Sequence, residues 1–251
     1  MDLAVIFSER KEYTETEPLK IRLEEGVHEI VGDEYGKMNV TCSHITFVGK
    51  GKDQTTIRGG FKVINQQNVT FEGLTIMNPR RQQTYFETRG TGLYLTGSET
   101  NVDVLKCIVK ECGKTGMSVR YGATVTATQC EFMENRSNGV YCDSANTKTI
   151  LNDCQMHHNG RDGLVAYDHA VVDLHGSKTD MHSNEGDGIG AGSRAKVNIH
   201  LPSQHNTSHD NVGEDRRQDG GGFVSPGSIA NINADGTFTH VVVEEDGDDD
   251  Y

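Results

Sequence analysis

An all-β solenoid, a single-stranded parallel β-helix of roughly eight coils, is the fold class that this 251-residue sequence predicts, and three columns of residues predict it. The first column is glycine. Gly92, Gly116, Gly139, Gly163 and Gly188 recur at spacings of 24, 23, 24 and 25 residues. Each opens a short segment with apolar residues one and three places on, as in Gly92-Leu-Tyr-Leu and Gly116-Met-Ser-Val, the period-2 signature of a half-buried strand. The second column lies nine residues upstream and reads Cys107, Cys130, Cys154 and Thr179; the third, five past it, reads Cys112, Asn135, Asn159 and Asn184. A period near 24 with several short strands and no amphipathic helix fits one solenoid turn. A propeller blade needs about 40–45 residues, and a leucine-rich repeat needs a leucine spine that is absent here.

Coils of such a stack lie about 4.8 Å apart, so like side chains pile on like. An asparagine column suits the inward side of a tight turn, because each amide donates to one neighbour and accepts from the other. Val104, Ala127 and Leu151, with Val109, Phe132, Met156 and Met181, supply repeating core positions. Alternating runs at 45–47, 61–63, 69–71 and 74–76 extend the stack towards the N-terminus, and runs at 197–199 and 229–232 continue it towards the C-terminus. The expected organisation is a capping segment at 1–20, the β-helix domain at 21–243 and a disordered acidic tail at 244–251.

With its glycine-led strands, asparagine column and period of 22–25 residues, the chain resembles the right-handed parallel β-helix repeat superfamily over about residues 21 to 235. That superfamily includes pectate-lyase-like enzymes, alginate epimerases, and carbohydrate-binding and sugar-hydrolase modules. Similar repeats read substrates in F-box ubiquitin ligase subunits. The resemblance implies the fold; function must come from the site.

Composition narrows the partners. Against 24 basic residues stand 37 acidic ones, a formal charge of −13, which argues against nucleic acid and anionic membrane. No apolar run approaches the roughly 18 residues of a membrane span. The N-terminus lacks a basic, long-cored signal sequence, so the expected location is cytoplasmic. There the six cysteines are expected as free thiols, with Cys107, Cys130 and Cys154 as small core residues.

If the first and third residues after each glycine face inward, the second and fourth face out. The outward columns then read Tyr94, Ser118, Tyr141, Val165, Gly190 and Thr96, Arg120, Asp143, Tyr167, Gly192. Arg120, Tyr141, Asp143, Tyr167, Asp168 and His169 thereby gather on neighbouring coils and form the candidate catalytic set. An arginine can neutralise a sugar carboxylate, and a histidine or tyrosine can move an α-proton. The Asp-Pro-His motif of the epimerases is not matched, because Tyr167-Asp168-His169-Ala170 lacks the proline. No cofactor and no metal is expected. The histidines 157, 158, 169, 175, 182, 200, 205 and 209 fall in different columns, only His157 and His182 sharing one. The glycines of Gly186-Asp-Gly-Ile-Gly-Ala-Gly192 read as turn residues, and Gly220-Gly-Gly222 as a flexible connector. An insertion at 79–89, with Arg80, Arg81, Tyr85 and Phe86, is a binding loop or a tolerated extension. Two functions are compatible with these features: a non-catalytic recognition module binding a protein or glycan, or a polysaccharide lyase, hydrolase or epimerase acting on uronate-containing glycans.

Overall fold

Every regular element in the computed structural model, which describes residues 13–30, 32–80, 89–200 and 208–224, is a β-strand. Strands of two to five residues pair only with their equivalents one period away, always in parallel. They build three parallel sheets that run along the solenoid. The first has nine strands, from Leu19–Arg22 to Phe223–Val224; the second has eight, from Gly26–Glu29 to Ser208–His209; the third has eight, from Lys37–Val40 to Arg216–Gln218. One strand of each sheet makes a coil, so eight coils are complete and a ninth begins. We number them from the N-terminus, with Asn101–Leu105 opening coil 4. The expected boundary at 20/21 falls inside the first strand. Residues 229–232, the acidic tail and residues 81–88 of the insertion lie outside the described residues.

In coils 4–7 the corners turn on residues in the left-handed region. Lys106, Gln129 and Asp153 turn the first sheet into the second, with φ of 52 to 55°. Glu111, Glu134, His158 and Ser183 turn the second into the third, at 50 to 55°. Tyr121, Asp168 and Ser193 begin the return, at 47 to 53°, and Gly220 does so in coil 8. Left-handed geometry costs a non-glycine residue about 1–2 kcal/mol. It therefore persists only where coil-to-coil packing over-determines it. The Gly220 segment is thus a corner of the stack rather than a free connector.

The glycine and asparagine columns prove to be one device. Asn159 Nδ2 donates to Asn184 Oδ1 at 2.9 Å and to Phe132 O at 3.1 Å, while its Oδ1 accepts from Asn135 N and Nδ2 at 3.2 and 3.0 Å. The ladder runs from Asn135 to Asn211. A Cβ on Gly116, Gly139 or Gly163 would fall 2.8 to 2.9 Å from the Nδ2 of Asn135, Asn159 or Asn184 respectively. Each asparagine thus needs the glycine of the preceding coil. The three stacked cysteines sit inside as expected, each Sγ within 3.2–3.6 Å of a carbonyl one coil earlier. Burial pushes the Cys107 thiol up to about 12, which keeps it protonated and inert.

Candidate functional site

The outer face of the third sheet carries the patch. Strand register places Tyr94 beside Ser118, Ser118 beside Tyr141 and Tyr141 beside Val165; one rank over, Thr96 lies beside Arg120 and Arg120 beside Asp143. Arg120 Nε and Nη2 both donate to Asp143 Oδ2, at 3.0 and 2.5 Å. Burial alone would lower the Arg120 pKa, but the hydrogen bonds and charge of Asp143 reverse this and raise it. Its guanidinium also lies 5.0 Å from the Tyr121 ring and 5.7 Å from Tyr141. Tyr141 and Tyr167 follow on adjacent coils with ring centroids 6.3 Å apart.

Arg217, which no column of the sequence reached, closes the patch in coil 8. Its Nη2 donates to Tyr167 Oη at 3.2 Å, and it bonds to Asp187 and Asp219. Those bonds, Tyr167 first and Asp187 next, raise its pKa. Gly190 and Gly192, which end the two outward columns, are strand and strand-end positions beneath these groups. A Cβ on Gly190 would stand 3.3 Å from Val165 Cγ2 and 3.4 Å from Arg217 Nη2, and one on Gly192 would collide with the Tyr167 ring. Missing side chains therefore make room for the tyrosine and the arginine. Val165 is outward by register yet buried. The Arg217 signal was hidden because its register partner Gly190 lies 27 residues away, more than the 23 to 25 of the glycine column.

Of the six candidates, Arg120, Tyr141, Asp143 and Tyr167 come together. Asp168 and His169 stand apart at the corner, both left-handed (φ 47 and 65°) and more than half exposed, paired with each other at 3.2 Å. Behind the patch runs a second ladder. Asn138 Oδ1 accepts from Asp162 N, Asp162 Oδ1 from Asp187 N, and Asp187 Oδ1 from Glu214 N, at 3.3, 2.8 and 2.9 Å. Burial, with a further contribution from Asp187, raises the pKa of Asp162.

At the opposite end of this face, Lys37 takes the place that glycine holds in later coils: its register partner is Gly60. Buried to 1 % exposure, its ammonium lies 5.1 Å from the Tyr35 ring and 6.0 Å from Tyr94. Burial lowers its pKa to about 8, assisted by Lys62, Lys114 and Arg89 and opposed by Asp33.

The histidines are more ordered than their spacing suggested. His157, His182 and His209 form one file on the second sheet, with centroids 4.9 and 5.4 Å apart, and His175 and His200 stack at 4.6 Å on the first. The 25-residue step from His175 to His200 equals the step from Gly163 to Gly188, so that pair was readable from the sequence. No group of three or more His, Cys, Asp or Glu suited to a metal ion occurs among the described residues.

Residues 33–208 match the family model described as right handed beta helix region, and the chain belongs to that family. Three solved structures are similar in fold. The Agl-KA catalytic domain aligns with a TM-score of 0.55 and 15% identity, over 85% of this chain and 40% of that one. The A-module of the Azotobacter vinelandii mannuronan C-5 epimerase AlgE4 gives 0.47 and 15%, over 78% and 70%. Geobacillus virus E2 ORF18 gives 0.50 and 10%, over 86% and 56%. The chain thus spans about two fifths of the Agl-KA catalytic domain. No curated protein matches by sequence.

Proposed function

We propose that the chain is a recognition module that holds a glycan against the outer face of the third sheet, in coils 4–8. One observation carries this reading: the Tyr141–Tyr167 ring pair is flanked on one side by Arg120–Asp143 and on the other by Arg217 with Asp187 and Asp219. Aromatic faces accept the C–H surface of a sugar ring, and the polar tips at their edges orient its hydroxyls. The carboxylates of the patch already accept from arginine. They are arranged to fix side chains in place and not to exchange protons with a ligand. A Tyr141→Ala, Tyr167→Ala double variant is expected to lose at least about tenfold in affinity for whichever oligosaccharide binds the wild type on a glycan array. Equal binding by the two proteins would overturn the reading.

The second reading, a polysaccharide-modifying enzyme, draws on Asp162. A carboxyl with a raised pKa, close enough to Arg217 for the two charges to interact, is the kind of group a general acid requires. Incubation with alginate, pectate and neutral glucans, followed by absorbance for unsaturated ends and by reducing-end release, separates the two. Turnover that Asp162→Asn abolishes supports the enzyme; binding without turnover supports the module.

A further inference from the structure

A second binding site lies at the corner between the first and second sheets, away from the tyrosine patch. In coils 3–6 a single left-handed residue makes this corner: Gly73, Lys106, Gln129 and Asp153. In coil 2 the same corner is the six-residue segment Gly49-Lys50-Gly51-Lys52-Asp53-Gln54. This segment arches down the solenoid axis instead of following its own coil. Thr75 Oγ1, in coil 3, donates to Lys52 O at 2.5 Å, and Lys52 Nζ reaches Glu131 of coil 5 at 3.5 Å. Its own turn is closed by Gln54 N and Thr55 N on Gly51 O, at 3.0 and 2.9 Å. Between the arch and the short corners lies a cavity of about 490 Å³, lined by Lys50, Lys52, Lys106, Asp53, Glu72 and the backbone of Gly49, Gly51 and Gly73, among others.

We infer that this cavity binds a small polyhydroxylated anion, of the chemistry of an acidic monosaccharide. Three lysines line it in a protein that carries a formal −13. Lys50 pairs with Glu24 at 3.3 Å and Lys52 with Glu131, whereas Lys106 makes no ion pair among the described residues. An acid group of the ligand completes Lys106. Glu72 and Asp53, likewise without ion pairs among the described residues, are acceptors for hydroxyl donors. The glycines hold the geometry. Gly73 turns at φ +63°, and a Cβ on Gly49 would strike the carbonyl of Gly73, so a larger residue at 49 would displace the backbone that lines the cavity. The site is independent of the tyrosine face, and either can fail without the other.

Titration of the full chain with D-glucuronate, D-glucose 6-phosphate, D-glucose and inorganic sulfate, followed by amide chemical shifts, tests the inference. The expected result is saturable shifts confined to Gly49, Gly51, Gly73 and their neighbours with one or both of the acidic sugars. The comparison of the two distinguishes carboxylate from phosphate recognition. Lys106→Gln should weaken that binding at least about tenfold. Gln129 occupies the equivalent left-handed position one coil on, so the variant is compatible with the fold. Glu72→Gln supplies a second reading of the same site, with loss expected on the hydroxyl side. Absence of shifts up to about 20 mM, equal response to glucose, equal response to sulfate alone, or unchanged affinity in Lys106→Gln would each overturn the assignment.

Discussion

Coils 1–3 and coils 4–8 solve the same stacking problem with different chemistry. In the later coils the asparagine ladder spans Asn135 to Asn211, the cysteine file Cys107 to Cys154 and the glycine column continues to Gly188, and Asn159 and Asn184 are each tied to both neighbours. In the earlier coils the interior is filled by Phe47, Phe61 and Phe71, with ring centroids 4.7 to 5.3 Å apart. There the ladder stops. Cys112 stands where an asparagine would receive Asn78, so Asn78 Nδ2 turns to Thr91 O at 2.9 Å, and its buried Oδ1 has no hydrogen-bond partner among the described residues. Aromatic packing is tolerant of direction whereas a hydrogen-bonded ladder is not. The 49–54 arch accordingly falls in the first region. Flat ranks that present Tyr141, Tyr167 and Arg217 fall in the second.

Substitutions in the two regions should break them separately, since repeat arrays are stabilised by nearest-neighbour contacts. Phe71→Ala removes the central ring of the early core and should destabilise by about 3–5 kcal/mol. Hydrogen exchange should then accelerate first in coils 1–3. Asn159→Ala leaves the buried amide groups of Asn135 and Asn184 and the Phe132 carbonyl short of partners, at a cost of about 2–4 kcal/mol. Its exchange signature should centre on coils 5–7. If both variants loosen the same amides, the two regions are one cooperative unit.

The pH dependence sharpens the contrast. Lys37 has a folded pKa lowered from 10.5 to about 8, so between those values the unfolded chain holds a proton that the folded chain has released. Stability should therefore rise from pH 8 to about 10.5, and Lys37→Met should flatten that rise in chemical denaturation. In the later coils Asp173 is the counterpart. Burial would raise its pKa, but hydrogen bonds from His200 and Asn198 hold it at about 2, below the ordinary 3.8. Its contribution is full above pH 3.8 and is lost as pH falls through 2, a loss that Asp173→Asn should remove. Smallest of all should be the effect of Cys112→Asn. By extending the ladder towards Asn78 it should stabilise by about 1 kcal/mol, read as a small upward shift in denaturation midpoint.

Much of the architecture was legible because stacking converts sequence period into spatial file. The columns headed by Gly92, Cys107 and Asn135 repeat at nearly constant spacing, and the sheets follow from them. Where spacing drifts, legibility falls. Arg217, and the file that joins His209 to His182, escaped notice because the period there lengthens to 27 residues. Lys37 escaped because a lysine in a glycine column carries no pattern. Asp168 and His169 looked like chemistry by type, yet their backbone places them at the exposed corner. Asp tolerates the left-handed conformation better than most residues, which is a structural reason for its presence there. The coupling of Gly116 to Asn135 was invisible in one dimension, since neither residue announces that its partner lies one coil away.

The most direct test of the account is a hydrogen-exchange footprint of the oligosaccharide-bound chain against the free one. Protection is expected along the third-sheet strands Met117–Arg120, Val140–Asp143, Leu164–Ala166 and Arg216–Gln218, which carry or border Arg120, Tyr141, Asp143, Tyr167 and Arg217. A footprint confined to the first or second sheet, with those strands unchanged, would contradict it.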